Sequence, residues 1–124
     1  MNFIARRIFT PYRPTYPVSE LGYASFKLDE ETYMRIDGEF KSSRNKEICY
    51  SVFAQANEHN GKKQCLVMLT GNTGDRRSVL FLKPHILPNE IDVACFDYNG
   101  TGCSERDALS YTVFERQDLR LLVI

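Results

Sequence analysis

The chain has no surplus of charge, no long apolar run, no Cys-x-x-Cys pair and only two histidines. Sixteen basic side chains cancel sixteen acidic ones, so there is no basic excess of the kind a nucleic-acid partner requires. Arg6, Arg7 and Arg13 make the N-terminus locally positive and read as a solvated tail. No stretch approaches the ~18 apolar residues of a membrane-spanning helix. The apolar part of residues 1–9 is too short and too charged for a signal sequence. A soluble, cytoplasmic protein is therefore expected. Cys49, Cys65, Cys95 and Cys103 lack metal-ligand spacing, and three of them fall in strand-like apolar runs. Reduced structural cysteines are expected, with no disulfide and no metal. Two phosphate-binding loops are also excluded. No lysine follows Gly74 as a P-loop needs, and the dinucleotide fingerprint fails where Glu105 stands. No cofactor is expected.

What is present is organised around residues 64–105. The run Cys65-Leu66-Val67-Met68-Leu69 meets Thr70-Gly71-Asn72-Thr73-Gly74, and Val93-Ala94-Cys95-Phe96 meets Asp97-Tyr98-Asn99-Gly100-Thr101-Gly102-Cys103-Ser104-Glu105. Both runs are apolar on consecutive positions, as strands are when helices cover both faces of a parallel sheet. With a helix between them they form a βαβ unit, whose two glycine turns lie at the carboxyl ends of the strands, where open α/β sheets bind ligands.

Upstream, Pro11, Pro14 and Pro17 with Tyr12 and Tyr16 make residues 1–32 an extended leading segment, since proline fixes φ and pushes its predecessor out of the helical region. Residues 33–40 alternate, Met34, Ile36 and Gly38 opposing Arg35, Asp37 and Glu39, which predicts a strand with one wet face. Residues 42–46 read as a turn and 48–53 as a second strand, together an antiparallel hairpin at the edge of a mostly parallel sheet. Residues 57–63 form a polar connector in which His59 is a solvated residue. After Asp75, a helix over 76–83 with Val79, Leu80 and Leu82 buried is expected to end in a kink at Pro84, with His85 half-buried there. Residues 111–124 read as an amphipathic helix, with Phe114, Leu121 and Leu122 inward and Glu115, Arg116, Asp118 and Arg120 outward.

The two glycine turns resemble the α/β-hydrolase superfamily. Its third strand ends in His-Gly-x-x-Gly, matched here by Thr70-Gly71-Asn72-Thr73-Gly74 with threonine at the histidine position, and its fourth ends in Asp-x-x-Gly-x-Gly-x-Ser, matched in full by residues 97–104. More narrowly, the chain is similar to protist hydrolases related to serine aminopeptidases and acylglycerol lipases. Their Arg-Pro entry segment and their Tyr-x-Arg-x-Asp and Glu-x-x-Asp segments have counterparts in residues 13–16, 33–37 and 115–118.

The resemblance implies an α/β fold read over residues 1–124 as a truncated α/β-hydrolase domain: a leading segment (1–32), then strands one to four with a following helix (33–124), with about four strands and two helices. It implies that the Asn72 amide, with Gly71 and Gly74 shaping its loop, is an oxyanion donor for an acyl substrate, small-molecule or peptide. One such donor is worth ~2.7–4 kcal/mol in acyl transfer. It also implies that Asp97, Gly100, Gly102 and Ser104 build a structural turn.

A complete fold of this kind is roughly twice as long, at ~30 residues per βαβ unit. The nucleophile elbow Gly-x-Ser-x-Gly is absent from these residues. The chain alone is thus expected to be inactive, and a non-catalytic binding module is the competing expectation. The family's strand order is 1-2-4-3-5-6-7-8, so without strand five Cys65 to Leu69 is expected on an open sheet edge, inviting self-association, aggregation or a partner that supplies a strand.

Overall fold

A computed structural model describes residues 15–56, 64–70, 74–106 and 113–123. Strand β1 (Ser25–Leu28) turns through Asp29 and Glu30, both at positive φ, as two-residue hairpin turns require, into β2 (Glu31–Lys41). A second turn, with Asn45 left-handed, leads into β3 (Glu47–Gln55). After β4 (Gln64–Met68) come a 3₁₀ turn (Arg76–Ser78), helix α1 (Val79–Ile86) and a second 3₁₀ turn (Leu87–Asn89), then β5 (Ile91–Phe96) and helix α2 (Val113–Val123).

These strands form one five-stranded sheet in the order β1-β2-β3-β5-β4, antiparallel except for the parallel β4·β5 pair. The hairpin, the βαβ unit and the placing of the fourth expected strand between the second and third all stand, but the sheet is mostly antiparallel instead of mostly parallel, and β1 takes the edge expected of the hairpin. This is a mixed α/β fold. β1 is an addition. It and a 3₁₀ turn at Val18–Leu21 occupy much of what was expected to be an extended leader; within that leader's described part, Pro17 is extended.

The core lies on one face of the sheet, where Tyr33, Phe53, Val93 and Cys95 pack against Val79 and Leu87 from the crossover, with Phe26, Leu28, Met68 and Ile86 around them. The strand register assigns the faces. Arg35, Phe53, Val93 and Leu66 run in a row across four strands, and Ile36, Val52, Ala94 and Val67 form the next row on the opposite face.

This corrects the expectation for β2: Tyr33 and Arg35 point to the buried side, while Met34 and Ile36 are 43% and 53% exposed. Alternation alone cannot say which face a neighbour covers. Arg35 tolerates the inward position because its guanidinium donates to the Gly22 carbonyl at 2.6 Å and to Asp37 at 3.0 Å. On the opposite face Phe40, Tyr50, Val52, Cys65, Val67 and Ala94 share a cleft of about 520 Å³ with Leu121, Leu122 and Val123 of α2.

Three further expectations change. Helix α1 continues through Pro84 to Ile86 instead of stopping at Lys83, and His85 is exposed. Proline removes only its own N–H, the Leu87 amide still reaches the Lys83 carbonyl, and the packed Val79 and Leu87 hold both ends. In α2, Glu115 and Asp118 are buried, with Leu121 and Val123 exposed. Asp118 turns inward because its carboxylate accepts the backbone N–H and the hydroxyl of Ser43, each at 2.9 Å. Cys65, expected inside a covered strand, is exposed because β4 lies at the sheet edge. The connector 57–63, with His59, lies outside the described residues.

The two faces predict opposite mutational costs. Phe53→Ala should destabilise by about 3–5 kcal/mol or abolish a cooperative urea transition, since it empties a fully buried site. Ile36→Ala should cost less than about 1 kcal/mol, because that side chain is already in water for half its surface. Equal losses would place Ile36 in the core.

Candidate functional site

At the carboxyl ends of the parallel pair β4 and β5 lies a buried polar cluster. The turn after β5 is closed by its own backbone. Thr101 N–H donates to the Tyr98 carbonyl and Gly100 N–H to that of Glu105, while Glu105 N–H reaches across to Glu47 at the start of β3. Gly100 and Gly102 adopt φ of +85° and +48°, conformations that cost L-residues free energy. Gly102 has a second constraint, since a Cβ there would collide with the Asp97 carboxylate. The Ser104 hydroxyl donates to the Asp97 carbonyl and accepts from the Cys49 amide.

Asp97 and Arg76 are both almost completely buried and form an ion pair at 2.9 Å. The carboxylate of Asp97 also accepts the Arg76 backbone N–H at 2.8 Å, the Tyr16 hydroxyl at 2.6 Å and the Cys103 N–H at 3.2 Å. These donors fill the bonding capacity of the buried carboxylate. The Arg76 guanidinium donates onward to the Ser51 hydroxyl at 2.8 Å, and Ser51 donates to Asp37 at 2.6 Å. Burial pushes the Tyr16 phenol upward, reinforced by its bond to Asp97. For Arg76, burial works against the charge, but Asp97 and Tyr16 outweigh it and hold the guanidinium charged.

Next to Arg76, Asp75 caps the 3₁₀ turn by accepting the Arg77 backbone N–H at 2.9 Å. Burial raises the Asp75 carboxyl, yet the bonds from Arg77 prevail and leave it below its ordinary value. Arg77 also stands over the Tyr16 ring at 4.7 Å. A cleft of about 390 Å³ opens beside the cluster, lined by Val18, Asp37, Gly38, Glu39, Cys49, Arg76 and Cys103.

The residues singled out from the sequence fall into two groups. Asp97, Gly100, Gly102 and Ser104 come together in one turn, where the Ser104 hydroxyl bonds the Asp97 carbonyl and Gly102 lies against the Asp97 carboxylate. Gly74 is half-buried just before Asp75, whereas Gly71 and Asn72 lie outside the described residues. Arg76, Tyr16 and Ser51 were not anticipated as members of the cluster. A charged pair, Asp75 and Arg76, directly after a glycine loop and before an apolar helix was the available signal for Arg76. Nothing local marked Tyr16, whose contact with Asp97 spans 81 residues. Among the described residues, no group of histidine, cysteine, aspartate and glutamate side chains could hold a metal ion, and no helix is long and apolar enough to cross a membrane.

With this geometry in hand, the chain is similar in structure to the esterase Pf2001 of Pyrococcus furiosus in two crystal forms. The TM-scores are 0.60 and 0.59 at 19% and 18% identity, over 90% and 94% of this chain. It spans 39% and 40% of the length of those esterase chains. At such identity the likeness is one of fold. No protein-family model and no curated protein sequence matches the chain. The chain therefore has a hydrolase-like α/β fold, shared with part of an esterase.

Two consequences follow for the cluster. Arg76→Ala strands the Asp97 carboxylate in the interior and should cost about 3–5 kcal/mol, with Tyr16→Phe costing about 1.5–3 kcal/mol for one bond to a charged group; urea unfolding would read both. The second concerns alkaline pH. Burial pushes the Cys95 thiol from 9.0 to about 12. Its folded value lies above its unfolded one, so the stability it contributes is complete below pH 9 and is lost as pH rises from there to about 12. The melting temperature should fall over that window, and less steeply in Cys95→Ala.

Proposed function

We propose that the chain supplies the oxyanion side of an acyl-transfer site of the α/β-hydrolase kind, acting in the cytoplasm on small-molecule or peptide acyl substrates. In this reading it is the N-terminal portion of an ester- or amide-hydrolysing architecture that resembles the protist hydrolases related to serine aminopeptidases and acylglycerol lipases. The observation that carries the reading is that Asp97, at the end of β5, holds Arg76, two residues past Gly74 of the loop that follows β4. Both glycine segments are thereby tied together at the ligand-binding end of the sheet. The oxyanion donor is the Asn72 amide, with Gly71 and Gly74 allowing close backbone approach. Asp97, Gly100, Gly102 and Ser104 are the turn that buttresses it.

Ser104 is not a nucleophile in this proposal. It is 5% exposed, and its hydroxyl is committed to the Asp97 carbonyl and the Cys49 amide. Among the described residues no histidine is placed as its base, and activation of a serine requires one within hydrogen-bond reach. A second reading, a non-catalytic binding module, draws on the exposed Met34 and Ile36.

Purified chain 1–124 should hydrolyse p-nitrophenyl esters no faster than a heat-denatured control. Turnover that disappears in Ser104→Ala would overturn the assignment of Ser104 to structure.

A further inference from the structure

The two edges of the sheet are built differently. β1 is four residues long, carries Lys27 and ends in the left-handed pair Asp29 and Glu30, features that discourage another strand from adding there. At the opposite edge β4 pairs, among the described residues, on one side only, with β5. Its sequence Gln-Cys-Leu-Val-Met has neither charge nor proline, and it is the only described strand without a charged side chain. Leu66 is 37% exposed and Leu69, just beyond the strand, 53%.

We propose that this edge is an interface between two copies of the chain, pairing β4 with β4 antiparallel about a twofold axis that runs perpendicular to the sheet and passes midway between the two copies of Leu66. The match is chemical. A strand added here must present uncharged side chains along both rows, since a charge laid against Leu66 or Val67 would be desolvated without a partner. Among the chain's own described strands, β4 alone meets that condition.

The axis makes Leu66 face the partner's Leu66 on the α1 side of the sheet. It sets Cys65 against the partner's Val67 on the α2 side, so like faces join and both apolar rows continue across the boundary. Antiparallel addition also sends Lys62 and Lys63, which precede β4 in the sequence, to opposite ends of the paired strands, where a parallel arrangement would set like charges side by side. Five residues of strand pairing bury less than the ~1,000 Å² of a stable interface. Leu121 and Val123, exposed and sharing the α2-side cleft with Cys65 and Val67, extend the contact.

Sedimentation equilibrium of the 124-residue chain should give twice the 14.3 kDa chain mass, dissociating on dilution. Leu66→Lys should give a monomer with an unchanged far-ultraviolet spectrum and a cooperative melt, because a central lysine blocks strand addition. A Cys65→Ser, Leu66→Cys variant should form a disulfide-linked dimer on mild oxidation with copper phenanthroline, as the twofold brings the two position-66 sulfurs together. A monomeric wild type, association without limit, or a dimer that Leu66→Lys leaves intact each overturns the proposal. If Leu66→Lys does not fold, absence of the position-66 crosslink overturns it.

Discussion

The ion pair between Arg76 and Asp97 is the contact on which the rest of the arrangement depends. Two charges removed from water are costly unless their remaining bonding capacity is filled. Here it is filled by Tyr16, Ser51, the Arg76 amide and the Cys103 amide. Each of those partners comes from a different part of the chain: the leading segment, β3, the start of the crossover and the glycine turn. The pair thus sets the relative position of four segments at this end of the sheet. A hydrophobic cluster of the same volume would hold them together without fixing their angles, since dispersion has no preferred direction.

Core and polar cluster divide the work by location. The apolar residues around Phe53 and Val93 lie under α1 at mid-sheet, whereas the polar cluster sits where the parallel strands end. That division lets the glycine turn after β5 adopt left-handed backbone while the strand before it stays regular. The Asp118 to Ser43 contacts hold α2 against the β2–β3 turn in the same manner, a carboxylate taking two donors from one residue.

The hairpin, the βαβ unit and the turn at residues 97–104 were legible in the sequence because each is written locally, in alternation, in apolar runs and in glycine spacing. What was not legible is whatever depends on which surface a second element covers. Met34 and Arg35 alternate perfectly, yet the alternation is silent on which of them faces α1. Asp118 looked like a solvent-facing member of an amphipathic helix because helical periodicity counts charge as outward; its partner, Ser43, is 75 residues away. Pro84 was read as a stop because propensity considers the helix alone, while Val79 and Leu87 hold its ends by tertiary contact. For the candidate site the turn residues could be read and the arginine that links them to the loop could not, since a lone Arg76 is indistinguishable from a surface cation until Asp97 is placed beside it.

The separation between Tyr16 and its partners has a bearing on how the chain comes into being. On a ribosome adding about 5–20 residues per second, Tyr16 emerges seconds before Asp97, 81 residues later, and well before Arg76, 60 residues later. Until then its phenol has no acceptor and its ring no cation to lie against. Tyr16 must therefore wait, undocked, through synthesis of the hairpin and the crossover, while β1, a little further along the same segment, already has β2 to pair with.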